Sequence, residues 1–135
     1  MRQKITPGMR AFLSAVRFGV VGTTNPDGSP HLTVMWYLFE DDDVVFNTSR
    51  ARVKARNLER DPRASFVVHD QYTFVRIDGR VTAVSDRATA QDDIRRMAIR
   101  YHGREKAEEM VRDQFSKEER ISYRLDARRV YAQGL

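Results

Sequence analysis

The segment from residue 18 to residue 39 constrains the fold more than any other part of this 135-residue chain. Two runs rich in β-branched and aromatic residues flank the turn N-P-D-G-S-P, whose proline, aspartate and glycine each suit a tight reversal. This pattern predicts an antiparallel hairpin. The second run, L-T-V-M-W-Y-L-F, is apolar on both alternating faces. Both faces of such a strand are expected to be buried. Either the core covers one face and a ligand or partner chain covers the other, or the strand belongs to a closed barrel with a helix packed on its outside.

Further strand-like runs follow this hairpin, and each is bounded by acidic or turn-forming residues. They are predicted at residues 44–48, 64–70 and 72–84. Near the C-terminus, one strand is expected to end at Leu125 and a last one to run through Tyr131. A brief reversal at Asp126-Ala127 would separate the two.

Helical segments are predicted between and before the strands. Thr6 and Pro7 are typical of a helix start, and Asp86 is a suitable N-cap for a helix that Gly103 ends. No repeat, linker or low-complexity segment divides the chain, which predicts one domain over residues 1–135. The expected fold class is mainly β, an antiparallel barrel of six or seven strands with helices packed outside it.

Composition excludes several kinds of site. The chain has no cysteine, so it can form neither a disulfide nor a thiolate metal site. Its histidines, His31, His69 and His102, have no second ligand at metal spacing, and we expect no metal. No run approaches the roughly 20 apolar residues of a membrane span, and the N-terminus lacks a signal-peptide core, which favours a cytoplasmic protein. The net charge of +5 suits an anionic partner, either nucleic acid or a phosphorylated small molecule.

The junction between the third strand and the next helix is the strongest candidate for a ligand site. The strand ends in Asn47, Thr48 and Ser49, and a helix-like segment then runs to Asp61-Pro62. The cations of its predicted first turn are Arg50, Arg52, Lys54 and Arg56. Cations are unfavourable at a helix N-terminus, which already carries partial positive charge, so a bound phosphate would supply the missing anion. The alternatives are a solvated basic face and a cage of aspartates from the same chain.

No side-chain arrangement for covalent or acid–base catalysis is recognisable. There is no nucleophile elbow and no carboxylate pair placed for hydrolysis. Gly19 and Gly22 do not form a dinucleotide-binding fingerprint, because they lie within a strand instead of opening a helix. A phosphate site beside a two-sided apolar strand favours a protein that positions a cofactor. We assign no catalytic residue. The candidate proton donors are His31, Tyr37 and Tyr72, for which packing is the simpler role.

Three stretches of the sequence resemble a known family. The run T-S-R-A-R-V-K-A-R-N-L-E-R-D-P-R-A, with G-T-T-N-P-D-G-S-P-H-L before it and V-R-I-D-G-R-V after it, resembles the pyridoxamine 5′-phosphate oxidase-like split β-barrel superfamily. The pattern R-x-K-x-R-N-L-x-R-D-P-R is most similar to its branch of oxidoreductases that bind the deazaflavin coenzyme F420 instead of FMN. The resemblance implies a split β-barrel of six or seven antiparallel strands with peripheral helices, in a homodimer with two cofactor sites at the interface.

The resemblance also implies roles for individual residues. The phosphate would be bound at the strand–helix junction by Thr48, Ser49, Arg52 and Lys54, above all by Lys54. Asn47, next to them, would also bind the cofactor. The flat ring of the cofactor would be lined by His31, Thr33, Val34, Met35 and Trp36. The substrate space would be walled by Tyr72 and Phe74.

The implied activity is hydride transfer between reduced F420 and a small conjugated or quinone-like molecule. An FMN-binding relative, either an oxidase or a flavin store, would use the same phosphate corner. The carboxylates of the F420 tail favour F420, because Arg50, Arg52 and Arg56 form a broad basic field. The alternative from another class is a nucleic-acid-binding barrel that stacks bases on Trp36, Tyr37, Tyr72 and Phe74. The apolar neighbours of these aromatic residues and the concentration of cations at one helix start argue against it.

Overall fold

A computed structural model describes residues 4–84 and 86–135. Within these ranges the chain forms seven strands, four α-helices and one 3₁₀ turn, so the fold is mainly β, as predicted. In chain order the elements are α1 (Pro7–Ser14), β1 (Gly19–Thr24), β2 (Pro30–Met35), β3 (Leu38–Glu40), β4 (Asp43–Ser49), α2 (Val53–Arg60), β5 (Arg63–Asp70), β6 (Thr73–Val84), α3 (Arg87–His102), α4 (Arg104–Asp113), the 3₁₀ turn (Phe115–Lys117) and β7 (Arg120–Gln133). No helix in the described ranges is both long and apolar enough to cross a bilayer.

All seven strands belong to one antiparallel sheet in the order β2-β1-β5-β6-β7-β4-β3. The sheet curls so strongly that residues from distant strands meet inside it. The ring of Tyr37, next to β3, lies 5.5 Å from the ring of Phe66 on β5, and Phe46 stacks between Phe66 and Tyr123. These aromatic contacts fill the interior of a half-barrel.

A hydrophobic core lies on each face of the sheet. Val44 and Phe46 of β4 are buried inside the curled sheet, whereas Val45, which points the other way, is buried against the helices. The outer core consists of Leu38 and Val45 from the sheet together with Ile94, Met97, Ala98, Ala107, Val111 and Phe115. Because successive side chains of a strand point to opposite faces, β4 is apolar throughout and holds both cores together.

The helix starts at Thr6 and Asp86 are confirmed. The hydroxyl of Thr6 accepts a hydrogen bond from the backbone N–H of Met9 at 3.2 Å, and a carboxylate oxygen of Asp86 accepts one from the N–H of Thr89 at 3.1 Å. Both bonds satisfy backbone donors of the first helical turn, which have no partner within the helix. α3 then ends at Gly103, as predicted.

The prediction of one unbroken second strand is wrong. β2 ends at Met35, and β3 begins at Leu38 and pairs with β4 instead of β1. Tyr37 causes the break: its hydroxyl donates to the carbonyl of Leu13 at 2.7 Å, and its backbone N–H donates to the hydroxyl of Tyr101 at 3.2 Å. The chain therefore turns from one edge of the sheet to the other.

Because of this break, the residues before and after it differ in burial. Tyr37 and Leu38 are buried in the two cores of the chain itself. Leu32 and Val34 on β2 are 65% and 68% exposed. One face of β2 thus has no cover within the described residues of a single chain.

The predicted reversal at Asp126-Ala127 is also wrong. β7 runs without interruption from Arg120 to Gln133, and the polar residues of this stretch lie at a β-bulge. There Asp78 pairs with Arg129 and Gly79 with Ala127, so that Arg128 is the extra residue. A bulge and a turn favour similar polar residues, because both leave backbone groups outside the ladder.

The bulge makes Gly79 essential to the β6–β7 pairing. Gly79→Ala is expected to lower the free energy of unfolding by about 1–3 kcal/mol, because the added Cβ would lie 1.8 Å from the carbonyl oxygen of Asp126. Gly8→Ala in α1 is the matched control, since nothing lies within 4 Å of its Cβ position and alanine is favoured in helices. Urea titration measures both variants. An unchanged midpoint for Gly79→Ala would show that the bulge accepts a side chain.

Tyr37 gives the fold a dependence on alkaline pH. Burial raises its pKa to about 12 from an ordinary value of 10.0. Folding favours the neutral phenol, so this stabilisation is complete below about pH 10 and is lost as the pH rises to about 12. Tyr37→Phe is expected to make the loss of stability over this range less steep. Tyr72→Phe should not, because Tyr72 is 85% exposed. Denaturant titrations at several alkaline pH values test this, and an unchanged slope for Tyr37→Phe would contradict it.

Candidate functional site

A pocket of about 440 Å³ lies where β2, the end of β4, the start of α2, α3 and the segment before β7 meet. This volume is within the range of small-molecule sites. From the residues predicted to bind a cofactor it gathers Thr33, Val34, Met35, Trp36, Asn47, Thr48, Ser49, Arg52 and Lys54. The other lining residues include Ile94 and Met97 from α3, Phe115 and Arg120. The two predicted groups of cofactor ligands, from β2 and from the strand–helix junction, therefore face one space.

Three of the residues predicted to line the cofactor ring or the substrate space do not line this pocket. His31 is on β2 opposite Thr23, two residues from the lining residue Thr33. Tyr72 is largely exposed at the turn between β5 and β6, and Phe74 pairs with His69 near the same turn. Their predicted roles remain predictions, because the pocket of one chain does not contain the expected substrate wall.

A short turn separates β4 from α2. The helix begins at Val53, three residues later than the sequence pattern indicated, and the N–H of Arg52 bonds to the carbonyl of Ser49 at 3.1 Å. This turn divides the cations. Arg50 faces away from the pocket and pairs with Glu119 at 3.1 Å, whereas Arg52 and Lys54 line the pocket. The name anion corner is used below for Thr48, Ser49, Arg52 and Lys54.

Lys54 is the unusual member of the anion corner. It is 7% exposed, and its ammonium group has no hydrogen bond or ion pair with any of the described residues. Burial, followed by the charges of Arg52 and Arg120, lowers its pKa below the ordinary value. A buried cation without a counter-charge costs free energy, so neither a solvated basic face nor a carboxylate from the described part of the chain accounts for Lys54.

Arg120 is a third cation at the pocket and was not found from the sequence. Its Nε donates to the side-chain oxygen of Asn47 at 2.7 Å, it also pairs with Glu118, and its guanidinium lies 4.8 Å from the centre of the Phe115 ring. Arg120 and Asn47 are 73 residues apart in the chain. No local pattern could indicate such a contact, because β7 reaches β4 only through the sheet.

Asn47 has its amide fully engaged within the chain. Besides accepting from Arg120, it donates to the carbonyl of Ala90 at 2.9 Å and to the hydroxyl of Ser122 at 2.8 Å. The Ser122 hydroxyl donates in turn to the buried carboxylate of Asp93 at 2.7 Å. This network fixes α3 against the sheet and directs Arg120, so the side chain of Asn47 acts on the pocket through its neighbours.

The end of the pocket near β2 carries aromatic side chains. Trp36 stacks on Tyr101 with ring centres 5.4 Å apart and meets Phe115 edge-on at 6.2 Å. One polar atom stands out here: the buried hydroxyl oxygen of Thr33 has no hydrogen-bond partner among the described residues. β2 is also an edge strand, so part of its backbone N–H and C=O groups are available to a ligand.

The arrangement suits a flat molecule with an anionic group at one end. None of the pocket-lining residues is a histidine, aspartate, glutamate or cysteine, and the candidate proton donors His31, Tyr37 and Tyr72 are all outside the lining. Its ionisable side chains are Arg52, Lys54 and Arg120. The pocket can therefore bind, orient and shield a ligand, but its side chains offer little acid–base chemistry near neutral pH.

Comparison with known proteins identifies the family of the chain. The family described as pyridoxamine 5′-phosphate oxidase matches residues 5–134. A conserved hypothetical protein from Mycobacterium tuberculosis is 30% identical, with a TM-score of 0.80 over 98% of this chain and 88% of that protein. Two more distant structures share the fold: an F420 reductase (22% identity, TM-score 0.75, 96% and 100% coverage) and the haem storage protein HutZ from Vibrio cholerae (17%, 0.73, 98% and 97%). The chain belongs to the pyridoxamine 5′-phosphate oxidase family and has its split-barrel fold.

Proposed function

We propose that this protein is an oxidoreductase that transfers a hydride between reduced coenzyme F420 and a small conjugated organic substrate. The observation that carries the proposal is the buried, unpaired Lys54 at one end of a pocket whose other end is lined by Met35, Trp36 and Met97. When bound, the deazaflavin ring would supply the hydride chemistry. The protein would supply the positioning, since its pocket offers little acid–base chemistry of its own.

The anion corner fits the phosphate of such a coenzyme. Lys54 would gain the counter-charge that it lacks, and the hydroxyls of Thr48 and Ser49 with the guanidinium of Arg52 would add donors on the same side. Arg120, held by Asn47 and Glu118, contributes a fixed positive charge behind them. This donor set consists of hydroxyls and cations, both of which can donate hydrogen bonds to phosphate oxygens.

The other end of the pocket fits the ring. The partnerless hydroxyl of Thr33 and the free edge of β2 would pair with polar atoms at the rim of a heterocycle. Met97 and Trp36 offer an apolar surface for its face. A ring held there would be shielded from water on the side of α3, which is the protein's main contribution to hydride transfer.

The choice of F420 over FMN rests on the sequence pattern and on charge. The branch pattern R-x-K-x-R-N-L-x-R-D-P-R occurs from Arg52 to Arg63, and a reductase named for F420 shares the fold. The long carboxylate tail of F420 would find a further, exposed cation beyond the pocket at Arg56. An FMN-binding oxidase or flavin store is the second candidate, because the family is described by an oxidase and the same anion corner would serve its phosphate.

A second copy of the chain completes the proposal. Leu32 and Val34 expose apolar surface on the strand that borders the pocket, and a homodimer would cover them and enclose the cofactor. The expected substrate wall, Tyr72 and Phe74, would then be supplied across the interface.

Replacing the unpaired cation separates binding from stability. Lys54→Met is expected to weaken F420 binding by about 1.5–3 kcal/mol, the worth of a charge-assisted hydrogen bond. The same change should raise the melting temperature of the cofactor-free protein, because it removes a buried, uncompensated charge. Fluorescence titration and thermal unfolding measure the two effects. Lys106→Met, at an exposed position on α4, is the control and should alter neither. Unchanged affinity for Lys54→Met would show that the phosphate binds elsewhere.

Separate titrations with F420 and FMN decide between the two candidate cofactors. F420 is expected to bind at one molecule per chain and more tightly than FMN, and reduced F420 should be reoxidised when a simple naphthoquinone is added with the protein. The rate of this reoxidation should fall in Lys54→Met. Protein that purifies with a stoichiometric, tightly held yellow flavin would reject F420 as the cofactor.

A further inference from the structure

A second cavity, of about 500 Å³, opens beneath α2 at one end of the half-barrel. We call it the α2 cavity. Its walls are mainly apolar and are formed by Leu58 of α2, Val81 of β6, and Ile121 and Tyr123 of β7, with Ala55, Pro62 and Ala83 completing them. None of its lining residues lines the candidate cofactor pocket. The strand–helix junction separates the two spaces, with Arg50 facing one and Arg52 the other.

Tyr123 marks this cavity as more than a packing gap. The residue is 2% exposed, and its ring stacks on Phe46 inside the half-barrel with centres 5.2 Å apart. Its hydroxyl, however, has no hydrogen-bond partner among the described residues. Tyr37, buried in the same core, shows the usual solution, since its hydroxyl donates to a carbonyl oxygen at 2.7 Å. The Tyr123 hydroxyl oxygen is not among the fully buried, unpartnered atoms of the described residues, so it opens into the cavity, where the acceptor group of a ligand could bind it in place of water.

The charges of Arg50 and Glu59, both lining residues, act on the ionisation of Tyr123. Burial has the larger effect and raises its pKa to about 12, so the hydroxyl keeps its proton near neutral pH and can donate it. The mouth thus presents one cation and one anion around a single interior donor.

The charges at the mouth do not select a strongly ionic ligand. Arg50 pairs with Glu119 at 3.1 Å, and the two side chains are 39% and 75% exposed, so this pair contributes little energy and exchanges readily with water. Glu59 contributes a negative charge at the same rim. The other lining side chains, in contrast, are apolar apart from the hydroxyl of Tyr123.

We propose that the α2 cavity is a second small-molecule site, which takes an uncharged aromatic molecule bearing a hydrogen-bond acceptor such as a ketone oxygen. The acceptor would bind the Tyr123 hydroxyl, and the ring would lie against Leu58, Val81 and Ile121. The volume of the cavity is sufficient for a molecule of one or two rings. This proposal is independent of the cofactor, since it uses no residue of the anion corner.

The probe for this site is 4-fluoroacetophenone, an aromatic ketone whose fluorine resonance reports binding to the full-length protein. Saturable binding is expected. Ala83→Phe, at the exposed rim, should abolish it by filling the mouth. Tyr123→Phe should weaken it about fivefold to tenfold, the worth of one hydrogen bond to a neutral acceptor. Tyr131→Phe, on the same strand but outside the cavity, is the matched control and should bind as the unchanged protein does.

Each contrary result is informative. Absence of saturable binding, or equal binding by the unchanged protein and Ala83→Phe, would overturn the site. Equal affinity in Tyr123→Phe would overturn the assignment of its hydroxyl as the donor. Binding that is lost in Lys54→Met but kept in Ala83→Phe would assign the probe to the cofactor pocket instead. Circular dichroism spectra of each variant establish that it is folded before its affinity is compared.

Discussion

The buried amide of Asn47 is the interaction on which the site depends. It joins three elements through three hydrogen bonds: β4, which carries it, α3 through Ala90, and β7 through Ser122 and Arg120. Both ends of the amide are satisfied, so a polar group that is 3% exposed stabilises the structure instead of weakening it. The same bonds hold α3 as one wall of the pocket and orient the guanidinium that stands behind the anion corner.

The anion corner is unfavourable for folding by itself. Three cations converge at Arg52, Lys54 and Arg120, and the most buried of them has no counter-charge among the described residues. The fold tolerates this because its stability comes from elsewhere, from an aromatic core inside the half-barrel and an aliphatic core under α3 and α4. Buried charges are normally paired, and here they are not, although the surrounding cores are well packed. A local exception of this kind indicates a ligand site.

Local sequence patterns predicted the elements better than their connections. The period-two runs and the N-caps at Thr6 and Asp86 depend on the local chain, and they led to the right fold class and to the right starts of α1 and α3. The break at Tyr37 could not be seen, because it depends on bonds to Leu13 and Tyr101 far along the chain. The bulge near Arg128 was mistaken for a reversal, since both attract polar residues. Arg120 was missed because its contact with Asn47 also joins residues that are far apart in the chain. The α2 cavity could not be predicted either, because it forms only when the sheet curls.

The exposed edge of β2 affects the newly synthesised chain before this edge is covered. The exposed Leu32 and Val34 lie on an edge strand that carries no lysine, glutamate or internal proline. These are residues by which sheets normally prevent foreign strands from joining them. In a newly synthesised molecule, this edge can therefore pair with strands of other chains until it is covered. Competition between productive covering and clumping with neighbours would set the yield of usable protein, and crowding or overproduction would shift that balance toward aggregates.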